Sequence, residues 1–276
     1  MTLSNRKILR TLLCLLAGTL YAVCLSACGA KEPLSENRDA EIESPVIAND
    51  LSNQKVTAIA EDTQGHIWIG TFRGLNKNNV HDYHQYFCTD DSLGLPDNQI
   101  THLLRDSKNR FWVGTVNGVC LYTDKDNFRI IPIEADNKNV RQILEDRNGR
   151  IFLNTGFQLY AYHPREEKIT CVLPEISPGN AFYAQCHIAP DNNLWVMTST
   201  GLRCYDPSTL QLKESVALSG YPYYSYLHNN ELWITGNHTL SIFDTRTRSF
   251  KPLPQPIARN TTLCNADIDY IHPYGN

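Results

Sequence analysis

Along most of its length the chain alternates apolar runs of four to six residues with short polar stretches rich in Asp, Asn and Gly. Residues 100–131 show this most plainly. The runs Ile100–Leu104, Arg110–Thr115, Val119–Tyr122 and Phe128–Ile131 are separated by Asp106-Ser-Lys-Asn109, Asn117-Gly118 and Asp124-Lys-Asp-Asn127. Short runs bounded by residues that tolerate left-handed backbone predict β-strands joined by tight hairpins. The first run of each group also fits an i, i+3, i+4 spacing (Val56/Ile59/Ala60, Val140/Ile143/Leu144). It is too short for a helix, however, and stops at an Asp-x-x-Gly or Asp-x-x-Asn turn. The aromatic-bearing run (Ile67-Trp68-Ile69, Phe111-Trp112-Val113) is apolar on consecutive residues, which predicts a strand covered on both faces.

The same pattern recurs. Copies read VTAIAEDTQGHIWIGT (56–71), ITHLLRDSKNRFWVGT (100–115) and VRQILEDRNGRIFLNT (140–155), followed by the looser YAQCHIAPDNNLWVMT (183–198) and YSYLHNNELWITG (224–236). One aromatic position steps through Trp68, Trp112, Phe152, Trp195 and Trp233, at intervals of 44, 40, 43 and 38 residues, and takes every Trp in the chain. Four antiparallel strands at a period of about 40 residues is the signature of a β-propeller blade. A helical solenoid fails for lack of helical periods, and a sandwich leaves the shared Trp unexplained. The expected fold is therefore all-β, a propeller of five four-stranded blades at about 56–98, 99–138, 139–181, 182–221 and 222–262. A partial sixth (263–276) is expected to supply its first strand at Ile268–His272, 44 residues after Tyr224. The expectation is an incomplete or open propeller with an unpaired edge.

Composition adds the compartment. Arg6, Lys7 and Arg10 precede an apolar stretch from Thr11 to Ala27 that ends in Leu25-Ser-Ala-Cys28. This reads as an export signal over 1–28 with a lipobox, Cys28 being the lipid-attachment residue; an ordinary signal peptide and an uncleaved anchor are the other readings. Residues 29–50, with Lys31, Glu32, Glu36, Asp39, Glu41 and Glu43, read as a flexible polar tether, and the repeats fill 51–276. The net charge is −4, and removing residues 1–27, which hold three basic and no acidic side chains, moves it to −7. An acidic domain without a Lys/Arg cluster sets nucleic acid aside as a partner, and leaves membrane contact to the N-terminal segment. Six cysteines follow Cys28: Cys88, Cys120, Cys171, Cys186, Cys204 and Cys264. They are scattered, and buried free thiols in strands are favoured over bridges, which an oxidising compartment would permit.

The segments DTQGHIWIGTFRGLNK (62–77) and SLGLPDNQITHLLRDSKNRFWVGT (92–115) followed by VNGVCLY resemble the two-component regulator propeller repeat. The resemblance extends over about 42–276 and implies an exported sensor region of a hybrid histidine kinase/response regulator, present here as an N-terminal portion. In that family such repeats often form two seven-bladed propellers, followed by a β-sandwich, a membrane helix and kinase modules, and respond to carbohydrate. The chain departs from the pattern where copies three to five replace Gly-Thr by Asn154-Thr155, Met197-Thr198 and Thr235-Gly236, where no kinase follows, and in its lipobox.

Candidate chemistry is sparse. Asp62, Asp106 and Asp146 each lie six residues before the aromatic position. Acids repeated in register sit on separate blades, so capping the turn is their expected role, ahead of acid/base catalysis or calcium. His81, His84 and Cys88 are metal-ligand types at close spacing, read here as a solvated loop of the first inter-blade connection. Neither a cofactor nor a metal is implied. Three readings follow. The first is a non-enzymatic sensor module binding an oligosaccharide, with a homodimer or receptor domains as partners. The second is a free-standing lipoprotein propeller acting as a protein scaffold. The third is a polysaccharide lyase or glycosidase, resting on fold analogy alone. Labelled palmitate should enter the wild-type chain and not Cys28→Ser; labelling that survives the substitution overturns the lipobox.

Overall fold

The computed structural model describes residues 45–89, 93–123, 125–174, 184–260 and 268. The export signal with Cys28, tether residues 29–44, Tyr183, Cys264 and the sixth copy apart from Ile268 lie outside the described residues. Five antiparallel sheets follow one another in chain order. Blade 1 holds β2 (Val56–Glu61), β3 (Ile67–Thr71), β4 (Gly74–Asn79) and β5 (Asp82–Tyr86), with β1 (Val46–Ala48) added outside β5. Blade 2 holds β6 (Ile100–Arg105), β7 (Phe111–Thr115), β8 (Gly118–Tyr122) and β9 (Phe128–Ile131). Blade 3 holds β10 (Gln142–Glu145), β11 (Ile151–Asn154), β12 (Leu159–His163) and β13 (Lys168–Leu173). Blade 4 holds β14 (Gln185–Ile188), β15 (Leu194–Thr198), β16 (Gly201–Tyr205) and β17 (Leu212–Ala217). Blade 5 holds β18 (Pro222–His228), β19 (Glu231–Gly236), β20 (Thr239–Asp244) and β21 (Ser249–Lys251), and a single helical turn, α1 (Gln255–Ala258), follows it.

The first strands of the blades are the inner ones: β2 packs on β6, β6 on β10, β10 on β14 and β14 on β18. This is a β-propeller of five consecutive blades. Among the described residues no comparable packing joins β2 to β18, so the propeller is open. Its end faces show it: on blade 1 Ile59 is 66% and Val56 42% exposed, whereas Leu103 and Ile143, which match Ile59 in blades 2 and 3, are buried.

Three expectations need correction. The tether does not reach residue 50, because Val46–Ala48 pairs with Tyr83–Gln85 and the Gln85 amide donates to the Asp50 carbonyl at 2.7 Å. His81 and His84 are not in an inter-blade connection: they sit on the β4–β5 hairpin, His84 opposite Lys77. Strand β3 is not covered on both faces, since Ile67 is 36% exposed; only β7, β11 and β15 are buried throughout.

The motif Trp-x-Gly-Thr has a residue-by-residue cause. The aromatic is buried on the next blade: Trp68 meets Phe111 and Tyr122 at ring distances of 5.0 and 4.7 Å, Trp112 meets Tyr162 at 4.9 Å, and Trp195 meets Phe243 at 5.1 Å. Phe152 packs with Leu194, Val196 and Tyr205 of blade 4. Glycine lets the blades close, because a Cβ on Gly70 would lie 2.5 Å from Ile100 Cγ2. The threonine hydroxyl holds the next hairpin, donating to Gly74, Gly118 or Gly201 carbonyls at 2.8, 2.9 and 3.0 Å. Among the described cysteines, Cys120, Cys186 and Cys204 are buried free thiols, Cys171 is an exposed free thiol, and Cys88 is exposed.

Inner strands are further joined by side chains that reach the neighbouring backbone. Gln142 accepts from the Cys186 N–H at 2.9 Å and donates to its carbonyl at 3.3 Å. Gln185 accepts from the Ser225 N–H at 2.6 Å. His102 takes the matching place on β6, with the Ile143 backbone as its partner. Burial holds the imidazoles of His102 and of His187 down, to about 4, although each keeps some solvent contact. A histidine whose folded pKa is depressed binds its proton first in the unfolded chain. Stability is then full above pH about 6.5 and falls as pH drops toward 4. His102→Gln keeps the clasp that Gln142 and Gln185 make and removes one titrating group. Urea midpoints at pH 7 and pH 5 should therefore differ less for the variant than for the wild type; an equal difference contradicts the assignment.

Candidate functional site

The three repeated aspartates end the inner strands, each on its own blade, and each closes the turn to the aromatic strand. Asp106 Oδ1 accepts from the N–H groups of Lys108 and Arg110 at 3.0 and 2.8 Å, while Oδ2 accepts from Arg110 Nε at 2.6 Å and Trp112 Nε1 at 2.8 Å. Asp62 repeats this with Gln64, His66 and the Trp68 indole at 2.9 Å. Burial alone would raise the Asp62 carboxyl, but these bonds outweigh it and keep it below the ordinary carboxylate range. Asp146 caps Asn148 and Arg150 without an indole, since Phe152 replaces Trp. The sequence showed the cap but not its second duty of receiving the indole proton. In blade 4 Ala189 stands in the aspartate's place, and the buried Trp195 Nε1 has no acceptor among the described residues. Trp195 and the rings at 68, 112 and 152 are buried, whereas Trp233 on β19 is half-buried, facing away from blade 4.

Where blades 1 and 2 meet, the turns beside Asp62 and Asp126 bound a cleft of about 470 Å3. Phe111 and Tyr122 form its apolar floor. Thr63 and Gln64 come from the β2–β3 turn, Asn109 from the β6–β7 turn, and Thr123, Lys125 and Asp126 from the β8–β9 turn; Lys77 and Arg105 enter from their strands. Asp126 Oδ1 accepts from the hydroxyls of Tyr86 (2.6 Å) and Tyr122 (3.0 Å). Burial pushes the Tyr122 hydroxyl up to about 12, helped by the Asp126 charge. Asp126 itself, despite burial, is held low by the two hydroxyl donors and the nearby Lys77 and His84. Lys77 Nζ lies 5.3 Å from the Trp68 ring centroid and 5.5 Å from that of Tyr122, within cation–π reach of both. A smaller space of about 280 Å3 lies at the other end of the inner strands, lined by Thr57, Gln99, Thr101, Asn139 and Arg141 among others. Among the described residues no group of three or more His, Cys, Asp or Glu could hold a metal, and no helix is long and apolar enough to cross a membrane.

The blades flanking the larger cleft are also the ones with a family signature. The sequence model of the family described as two component regulator propeller matches residues 50–73 and 94–117. Those two segments are thus similar to two-component regulator propeller repeats. Each match runs through the inner strand, the Asp turn and the Trp-x-Gly-Thr strand of its blade, the elements whose contacts are given above. No curated protein sequence matches the chain. Among solved structures, virginiamycin B lyase from Staphylococcus aureus is similar with a TM-score of 0.58 at 18% identity, over 78% of this chain and 75% of that one. The extracellular domain of BT3049 from B. thetaiotaomicron, described as belonging to a hybrid two component system, is similar with a TM-score of 0.51 at 19% identity, over 83% of this chain. The chain spans 39% of that domain and 37% of the corresponding domain of BT4673 from the same organism. At these identities the likeness speaks for the propeller fold.

The indole bond gives the aspartates unequal weight. Asp106→Ala strands both the Trp112 N–H and the Arg110 guanidinium, and should cost on the order of 2–4 kcal/mol. Asp146→Ala strands only Arg150 and two turn amides, so it should cost measurably less by urea denaturation. Equal losses would contradict the role given to the indole.

Proposed function

We propose that this chain is a non-enzymatic ligand-binding propeller module of a two-component regulator, working outside the cytoplasm, and that a glycan-derived molecule binds in the cleft between blades 1 and 2. The observation that carries the reading is the cleft itself. It is large enough for a few sugar rings, floored by Phe111 and Tyr122 and rimmed by turns that supply Asn109, Thr63 and Gln64 as hydrogen-bonding groups. It also opens between the two blades whose repeats carry the family signature.

The chemistry of the cleft supports binding without turnover. Asp62 has both oxygens engaged by its own turn and by Trp68, which commits it to holding the turn rather than to moving protons. The Tyr122 hydroxyl is held protonated by burial and by Asp126. Aromatic rings packed across the blades fix the floor, and the loops at the rim are tight hairpins, so a ligand meets a preformed surface. The export signal read in residues 1–28, with lipidation at Cys28, would hold the module at a membrane through its N-terminus.

Isothermal titration of the full chain with a panel of plant and host oligosaccharides tests this reading. At least one member should bind saturably, and Gln64→Trp, which fills the exposed rim and leaves the core alone, should weaken it roughly tenfold or more. Binding indifferent to Gln64→Trp, or release of new reducing ends from any member of the panel, would contradict it.

A further inference from the structure

The charges around the cleft are not balanced, and the imbalance runs against the rest of the protein. The chain is acidic, with a net charge of −4. Yet Lys77, Arg105 and Lys125 all line the cleft. Among the described residues no carboxylate lies within ion-pair distance of any of the three; several cations elsewhere, such as Lys55 and Arg203, are alike in this, but none of those is gathered with others around a cleft, and Lys213 and Arg129 are paired with Asp206 and Glu167. The two acids in the lining are occupied elsewhere. Asp62 is spent on the turn and the Trp68 indole, and Asp126 holds two tyrosine hydroxyls on Oδ1.

Lys77 is the informative one. It is half-buried on β4, and its ammonium rests near the faces of two rings that are themselves locked by the blade contact, Trp68 and Tyr122. A cation fixed in this way has already lost part of its hydration and its rotamer freedom, so an arriving anion meets a prepared partner rather than a mobile surface lysine. Arg105 donates to the Asp62 carbonyl through Nη1 at 2.9 Å, which holds its guanidinium beside the rim. Asp126 Oδ2, by contrast, accepts no hydrogen bond among the described residues, and remains able to take one from a hydroxyl. The site thus offers cations for an anionic group, an acceptor for a hydroxyl and an aromatic floor for a sugar ring.

We propose that the cleft between blades 1 and 2 selects an oligosaccharide bearing an anionic group, carboxylate or sulfate, over a neutral one, with Lys77 and Arg105 receiving the anion and Asp126 a neighbouring hydroxyl. This rests on the reading of the cleft as the ligand site. A free inorganic anion would satisfy the cations but leave the Tyr122 floor and Asp126 unused, so the hydroxyl-rich ring is part of the recognition.

The test is titration calorimetry of the full chain with four probes: oligogalacturonides, the same oligogalacturonides methyl-esterified, sulfated carrageenan oligosaccharides, and neutral cello-oligosaccharides. A charged probe should bind, and its ester or the neutral probe should bind roughly tenfold or more weakly. Affinity should fall as salt is raised, because the partners are partly exposed ions. Lys77→Met, which keeps the length of the stem over the two rings, should remove most of the preference, and Arg105→Gln should remove part of it, each with an unchanged melting temperature. The carboxylated and sulfated arms decide which anion is preferred. If the esterified or neutral probes bind as tightly as the charged ones and Gln64→Trp abolishes that binding, the charge selection is wrong while the cleft stands. If charged probes bind and neither Lys77→Met nor Gln64→Trp has an effect, the site lies elsewhere and both readings fall. If no charged probe binds, the selection proposed here is wrong.

Discussion

An aromatic side chain that can complete its burial only on the next blade is the constraint on which this structure depends. Trp68, Trp112, Phe152 and Trp195 sit on their own sheets, but the rings and aliphatic groups that cover them come from the following one. Burying one such ring contributes about 1.5–3 kcal/mol, and a well-placed aromatic partner adds about 0.5–1.5 kcal/mol. No blade can collect that by itself. Stability is therefore held in the interfaces between neighbours, as in a linear repeat array; the indole-to-aspartate bond fixes the ring from within its own blade, and inner-strand clasps such as Gln142 to Cys186 tie one blade to the next.

The same logic explains where the repeat decays. In blade 4 the aspartate has become Ala189 and the Trp195 N–H has no acceptor among the described residues, yet the ring stays fully buried, with Phe243 still covering it. Packing tolerates the loss of the polar bond, whereas the reverse case, an aspartate without its ring, is not found in any blade. In blade 3 the glycine of the motif is Asn154, and its amide turns the lost close approach into a bond, donating to the Ala184 carbonyl of the next blade at 2.7 Å. At the open end, Trp233 has no described blade to cover it and is half-buried.

Much of this was legible in the sequence because it is periodic. Strand number, blade boundaries and the Trp position all recur about every 40 residues, and β6 to β9 coincide with the apolar runs of the second copy to within a residue or so. What escaped was of two kinds. One was periodic but overlooked: ten residues after each aromatic of blades 2 to 5 stands its neighbour's cover, Tyr122, Tyr162, Tyr205 and Phe243, while in blade 1, which covers no described ring, that place is Asn78. The other was not periodic at all. Strand β5 (DYHQY) lacks an apolar alternation and passes for a loop, although Tyr86 is fully buried. The inner clasp is made by His at one blade and Gln at two others, so no single residue type marks it. The cleft joins residues from Asp62 to Asp126 through a contact between two blades, and its cations are unremarkable one by one.

The cleft and the fold share one cause, since the rings that lock blade 1 to blade 2 are the rings over which Lys77 is held. The claim beneath both is that blades are stabilised by their neighbours, and native-state hydrogen exchange of the backbone amides tests it most directly. Blades 2 and 3, covered on both faces by described blades and held by polar bonds, should exchange slowest, and blade 5, which among the described residues has a neighbouring blade on one face only, should open first and by itself. Equal protection across all five blades, or a blade 5 as slow as blade 2, would contradict the account.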